Sequence, residues 1–291
     1  MKRLMEISIT KPEDWSPSEV SEVISWQGHI PFAFSLMQIM QPNCFVELGS
    51  HKGDSYFAFC DAVRHFGLST SCFAIDTWAG DEHAGFYSDE IFEHVKARNN
   101  KAFKGFSKLI RSTFDEALIQ FPDHSIDILH IDGLHTYEAV RHDFETWQNK
   151  LSDKGIVLFH DTVVREADFG VWKFWEEISA KYPSFGFNHS NGLGILAVGT
   201  QAANILPDLK KKKKEVAEEL RLTYATLGNS IAFTGTQKFL KQERENFSQE
   251  ITKFSTWALN LEKQLNQERE IAGAEITRLK NINIRGLMTI A

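Results

Sequence analysis

Between residues 44 and 161 five short, nearly continuous apolar runs recur, each with a polar residue at or next to its end: CFVEL (44–48), CFAID (72–76), SKLIRS (107–112), IDILHID (126–132) and GIVLFHD (155–161). A strand with one face in water alternates apolar and polar residues, whereas a strand covered on both faces has no need to. Runs of this kind therefore predict a parallel sheet with helices on both sides. The segments between them read as crossover helices. The clearest spans 136–151, where Tyr137, Val140, Phe144, Trp147 and Leu151 step by three and four to make one apolar stripe. Another is expected at 168–182, with Asp168 as N-cap, Val171, Trp175, Ile178 and Tyr182 as its buried face and Pro183 as its stop. FGFNHSNGLGILAV (185–198) then reads as two strands around an Asn191-Gly192 turn. Five parallel strands and this hairpin give an α/β fold. It is a doubly wound, mostly parallel seven-stranded sheet with an antiparallel edge.

Ligands of such sheets lie beyond the C-terminal ends of the strands, near the point where strand order reverses. The residues placed there are Glu47–Gly53, Asp76, Ser112, Asp132–His135 and His160–Asp161. In the first loop, LGSHKG, Gly49 and Gly53 allow a tight turn and a ligand close to the main chain. The G-x-x-x-G spacing differs from the G-x-G-x-x-G of dinucleotide sites, so no diphosphate is called for. Asp76 is placed to accept hydrogen bonds from ribose hydroxyls, and Glu47 to meet a positive end of the ligand, directly or through water. A Gly-rich turn over a buried strand-end acid is the plainer alternative for this loop.

A second group joins HIDGLH (130–135) and FHDT (159–162). Adjacent parallel strands are ~4.8 Å apart, so Asp132, His135, His160 and Asp161 can converge. Two carboxylates at neighbouring strand ends repel unless a cation lies between them. With mostly oxygen donors that cation is Mg²⁺ or Mn²⁺ rather than zinc, with Asp132, His160 and Asp161 as the metal set. His130, with no motif around it, reads as a core residue. His29, in GHIPFAF, is a candidate lid residue, and His51, Asp81 and His83 border the site.

FVELGSHKG, FAID, IDILHIDGLHTYEAVRHDFETW and GIVLFHDT, in this order, resemble the class I S-adenosylmethionine (SAM)-dependent methyltransferases. Within them the chain looks like the branch of macrocin-type sugar O-methyltransferases and cephalosporin-hydroxylase-like proteins, over residues 30–200, and IDTWAGDEHAGFY (75–87) is especially similar. The resemblance implies a Rossmann-like methyltransferase fold. It implies SAM held by Glu47, Gly49, Ser50 and Gly53, ribose contact by Asp76, and an adenine pocket near Trp78 and Ser112. It further implies Asp132 as a metal ligand, His135 as general base, and O-methylation of a sugar or glycoconjugate beside a glycosyltransferase in a surface-polysaccharide pathway. His160 departs from the acid this branch commonly carries there.

Composition narrows the partners. A net charge of −7 argues against nucleic acid. No run reaches the ~18–20 apolar residues of a membrane span. Cys44, Cys60 and Cys72 lie in apolar runs without C-x-x-C spacing, and residues 1–15 carry no apolar leader, which together predict a soluble, cytoplasmic protein. The expected organisation is an N-terminal helical lid (1–42), a SAM domain (43–206), a Lys-rich linker with a short helix (207–235), and an amphipathic helix or coiled coil (236–291). Lys210–Lys214 reads as a solvated joint, with an anionic-membrane contact as the alternative. Ile251, Phe254, Ala258, Leu261 and Leu265, continued by Ala272, Ile276 and Leu279, form a stripe that calls for a homo-oligomer or a glycosyltransferase partner. Two other function classes compete. A nicotinamide oxidoreductase lacks its glycine fingerprint here, and a non-catalytic SAM-fold partner has no reason to keep Asp132, His135 and Asp161.

Overall fold

A computed structural model describes residues 17, 19–83, 85–205 and 214–288. Residues 206–213, which hold most of the lysine run, and the first 16 positions lie outside the described residues.

The apolar runs are strands: β1 (Cys44–Leu48), β2 (Ser71–Asp76), β5 (Ser107–Arg111), β6 (Ile126–Ile131) and β7 (Leu151–His160), with β8 (Ser184–Phe187) and β9 (Leu193–Ala197) as the hairpin. A small β3–β4 ribbon (Gly80–Asp81, Gly85–Phe86) stands apart as its own sheet. The main sheet has seven strands in the order β5-β2-β1-β6-β7-β9-β8. β9 runs antiparallel to both β7 and β8, and the other neighbours are parallel. Chain order reverses between β1 and β6. The ends of β1, β2, β6 and β7 therefore open onto one crevice.

Both faces are covered. On one, α1 (Ile30–Met40), α2 (Asp54–Phe66) and α3 (Asp89–Ala102) share a core containing Phe34, Phe45, Phe59 and Val95. On the other, α5 (Tyr137–Trp147) and α6 (Val171–Ser179) pack Val140, Phe144, Trp147 and Phe174 onto Val46, Leu129 and Val157. The short α4 (Phe114–Ala117) follows β5, and α7 (Ala202–Ile205) follows β9. All three cysteines are unpaired.

Four expectations are corrected. The 136–151 helix ends at Trp147, and β7 starts at Leu151, whose side chain is buried; a register shift against β6 absorbs the polar stretch before Gly155. Asp168 caps nothing: α6 starts at Val171 with Gly170 as N-cap, and Asp168 pairs with His83 instead. In the segment expected as a lid, Gln27, His29 and Ile30 are each 0% exposed and belong to the core, whereas Ile24 before them is 60% exposed. The short helix expected within 207–235 is the start of one long helix, α8 (Lys214–Met288), with no break before the helix expected from 236.

The chain divides into two compact units, Met1–Thr236 and Gln237–Ala291. Within the first, Leu220, Tyr224, Gly228, Ile231 and Gly235 are the buried line of α8. This 4-4-3-4 helical face is hard to see in sequence because two of its five members are glycines. In the second unit, residues 237–280 are all exposed. Among the described residues no helix is long and apolar enough to cross a membrane.

Candidate functional site

A cleft of about 620 Å³ lies at the strand-order reversal, within the range that takes a small-molecule ligand. Its floor starts with the loop after β1. Gly49 has φ +84°, and a Cβ there would overlap the Asp132 carbonyl, so the loop runs backbone to backbone against the end of β6. Gly53, at φ +83°, turns the chain into α2. The Asp76 carboxylate accepts three backbone N–H groups: Ser50 (2.8 Å) and His51 (3.0 Å) on Oδ2, and Trp78 (2.6 Å) on Oδ1. Asp76 still lines the cleft, as do Gly49, Ser50 and Gly53.

Three expected cofactor contacts are placed otherwise. Glu47 is fully buried, accepting from Ser50 Oγ (2.8 Å) and from His130 Nδ1–H (2.9 Å). Trp26 donates its indole N–H to His130 Nε2 (3.3 Å), which fixes that tautomer and confirms His130 as a core residue. Burial pushes the Glu47 pKa up and His130 opposes it. Glu47 thus braces the loop from beneath. Trp78 is buried as well, its indole donating to the His51 carbonyl (2.9 Å) and packing on Phe92. Ser112 bonds the Thr113 carbonyl and Glu116, and the cleft wall is made by the next two residues, Thr113 and Phe114.

Asp132, His135, His160 and Asp161 do converge. His135 Nε2 lies 3.0 Å from Asp161 Oδ2 and 3.9 Å from Asp132 Oδ1. Asp161 sits at φ +59°, a left-handed conformation that Asp tolerates better than most residues, just past the end of β7. Burial works against charge on both acids, but the His160 charge and hydrogen bonds from His135 and His160 hold their pKa values well below the usual carboxylate range. Burial would lower His135 too, yet Asp132 and Asp161 outweigh it and lift its pKa to about 9.

His160 is not a metal ligand in this arrangement. Its Nδ1 faces Asp132 Oδ1 (3.2 Å) and Asp161 Oδ2 (3.1 Å), and its Nε2 faces the carbonyls of Ser25 (3.3 Å) and Ser190 (3.0 Å). Every one of these partners is an acceptor, so both nitrogens carry protons and no lone pair remains. The ring is a buried countercharge: burial alone would lower its pKa, but the two carboxylates raise it well above the ordinary imidazole value. The donor set is instead Asp132, His135 and Asp161, each offering one atom, all within 4.8 Å of one another. Asp161 Oδ1 is buried without a hydrogen-bond partner. Two oxygens, an imidazole nitrogen and an orphaned carboxylate oxygen fit a divalent cation.

Two loops close over this group. His83, from the turn of the β3–β4 ribbon, donates its Nε2–H to the Asp168 carboxylate (2.7 Å), and the His83 and His135 rings both lie nearly parallel to Phe169. His51 lines the cleft and stacks on Tyr87 at 4.6 Å. Ser21, Ser25 and Trp26 also line it, a contribution the sequence reading missed because nothing in SEVISWQ marks a site.

A family model described as a methyltransferase domain matches residues 46–162. An uncharacterised protein of Sinorhizobium fredii is 43% identical over 238 residues, which are 81% of this chain and 25% of that protein. The chain thus spans about a quarter of the curated relative it matches. Solved structures with similar backbones include the O-methyltransferase TomG from Streptomyces achromogenes in complex with SAM (13% identity, TM-score 0.45, 66% of this chain and 100% of that one). Another is the SAH-bound methyltransferase PaMTH1 of Podospora anserina (14% identity, TM-score 0.45, 58% and 77%). These backbone likenesses are weak, and the family match over residues 46–162 is the more specific similarity. The stretch that matches the methyltransferase-domain model runs from within β1 to two residues past the end of β7.

Proposed function

We propose that the protein transfers the methyl group of SAM to a hydroxyl of a sugar or glycoconjugate. The observation that carries this reading is the placement of the Asp132–His135–Asp161 cluster in the same cleft as Gly49, Gly53 and Asp76. A nucleoside-type cosubstrate fits the side of the cleft lined by Gly49, Gly53 and Asp76. The acceptor hydroxyl belongs at the acid cluster. The sugar class rests on the resemblance of residues 75–87.

Methyl transfer from a sulfonium is an in-line displacement, so holding the acceptor oxygen against the methyl carbon is the main task, worth ~7–11 kcal/mol. The chain supplies this with loops that cover the site from both sides, Phe169 from one and His83 from the other. His135 Nε2, in its neutral form, is the atom that receives the hydroxyl proton, a contribution of ~10²–10⁴-fold. With its pKa lifted to about 9, that form grows as pH rises or as a bound cation offsets the two carboxylates. The carboxylates that raise its pKa also stabilise the imidazolium formed. A divalent cation, Mg²⁺ or Mn²⁺, held by Asp132 and Asp161 with His135 in reach, would supply Lewis acidity toward the acceptor oxygen. The exposed helical face of the second unit fits a homo-oligomer or a glycosyltransferase partner, and a cytoplasmic site of action accords with the unpaired cysteines.

Melting with SAM, with NAD and with EDTA tests the reading. SAM at ~100 Kd should add about 2.7 kcal/mol of stability, and labelled SAM should pass label to a sugar acceptor. A protein stabilised by NAD and indifferent to SAM would refute it.

A further inference from the structure

Two of the five residues on the buried line of α8 are glycines, Gly228 and Gly235. Glycine inside a helix costs about 1 kcal/mol relative to alanine, so bare backbone has a use there. At Gly228 a Cβ would overlap the carbonyl oxygen and Cα of Gly28. At Gly28 in turn a Cβ would overlap Ser190 Oγ and crowd the His189 ring. Gly28 is therefore pinched between a helix backbone on one side and the turn before β9 on the other.

This pinch lies directly behind the acid cluster. His189 Nε2 bonds the Gly28 carbonyl (3.1 Å) and His29 Nε2 bonds the Ser190 carbonyl (3.0 Å), so the two segments interlock. The carbonyls of Ser25 and Ser190, one from each segment, grip His160 Nε2. The opposite nitrogen of that ring holds Asp132 and Asp161. A displacement at Gly28 thus reaches both carboxylates through one rigid ring.

We propose that α8 is the positioning wall of the reaction site, and that Gly228 and Gly28 are positioning residues which touch neither SAM nor acceptor. The inference rests on the methyl-transfer reading above. The Gly49, Gly53 and Asp76 side of the cleft comes from the ends of β1 and β2, and α8 approaches it through Gly235 and Gln27, which bonds Asp54, rather than through Gly228. Shifting α8 at Gly228 should therefore slow turnover while leaving SAM binding intact. Alanine at 228 also gains helix propensity, which offsets part of any loss of stability.

The test uses the full chain, with Gly228→Ala, Gly28→Ala, Gly28→Ala combined with Ser190→Gly, and exposed Asn229→Ala as control. SAM affinity is read by calorimetry, turnover with labelled SAM, and backbone motion by hydrogen exchange. Gly228→Ala should melt cooperatively and keep SAM affinity within about threefold, while kcat falls roughly 10- to 100-fold, the scale of a 1 Å misplacement. Exchange should quicken over 25–29 and 189–192 but not over 49–53. Removing the Ser190 side chain should restore much of the activity lost in Gly28→Ala, and this pair decides the matter if Gly228→Ala fails to fold. Wild-type kcat in folded Gly228→Ala, or faster exchange confined to α8, would overturn the proposal. A wild-type protein without methyl transfer would refute the underlying reaction, and the exchange data would still decide the positioning claim.

Discussion

The Oδ2 atom of Asp76 accepts the backbone N–H of Ser50 at 2.8 Å, so the acid ending β2 is the peg on which the loop after β1 hangs. The amides of His51 and Trp78 complete its shell. Hydrogen bonds to a charged group are worth ~1.5–3 kcal/mol each and are not additive. Asp76→Ala should lower the melting temperature and weaken SAM by at least roughly thirtyfold, since loss of two such bonds is about 2–3 kcal/mol in binding terms. Asp76→Asn keeps one acceptor oxygen and should fall between. Calorimetry decides, and wild-type affinity in Asp76→Ala would show that the loop holds its shape without the peg.

His160 as a fixed countercharge makes a separate claim. Truncating one partner of a buried ion pair costs ~3–5 kcal/mol because the other charge is left uncompensated. His160→Asn should therefore melt several degrees lower in EDTA, and Mn²⁺ should recover much of the loss by replacing the missing positive charge. The wild-type protein, whose acids already face the His160 countercharge, should gain less from the same Mn²⁺. Equal metal responses in the two proteins would remove His160 from this role.

How much of this was legible in the sequence follows from what each residue type reports. Continuous apolar runs carry their own periodicity, so strand identity, both sheet faces and the hairpin at Asn191-Gly192 could be read directly. Strand-end polar residues could be grouped as well, because topology alone brings Asp76, Asp132 and Asp161 to one edge. What a given polar atom binds could not be read. Glu47, in β1, and Trp78, in the loop after β2, stand at the right edge yet turn inward, where His130 and the His51 carbonyl take their polar atoms. His160 looked like a ligand because sequence spacing does not show the Ser25 and Ser190 carbonyls that take its second nitrogen. The docking face of α8 was missed because glycine has no hydropathy to report a close backbone contact.

Asp143 offers a pH test away from the cluster. It is 6% exposed, on the α5 face near Gly133 and Phe114, and burial pushes its pKa up to about 7. An unfolded Asp titrates near ~3.9. Below that value both states keep the proton and Asp143 costs nothing. As pH rises to about 7 the unfolded chain releases a proton that the folded chain retains, so stability falls, and it levels off above. Asp143→Asn should match the wild type near pH 4 and exceed it at pH 8, by at most on the order of 4 kcal/mol. Melting curves at the two pH values check this; a gap that does not widen with pH would mean that the carboxylate is solvated.

The division of α8 between two units sets the last prediction. Leu220, Tyr224 and Ile231 are 4%, 1% and 7% exposed in the core of the first unit, beside Phe32 and Phe187. Cutting after Pro207, the boundary that the composition change recommends, removes all three. Burying a large apolar side chain is worth ~1.5–3 kcal/mol, and a domain has only ~5–15 kcal/mol in total, so that fragment should be insoluble or molten. A cut after Thr236 keeps the core whole and should give a folded protein that binds SAM. In the second unit Phe247, Ile251, Phe254, Ala258, Leu261 and Leu265 follow a 4-3-4-3-4 spacing, which extends the seam back to Phe247. All are exposed along a helix with no other described partner, and a helix of this kind draws its stability from packing. The full chain should therefore self-associate at micromolar concentration, and the 1–236 fragment should be monomeric. Phe254→Glu together with Leu261→Glu should return the full chain to a monomer while methyl transfer by the first unit continues. Light scattering on the three proteins provides the measurement. A monomeric full chain would reassign the seam to a different protein, and a dimeric 1–236 fragment would place the interface on the methyltransferase domain itself.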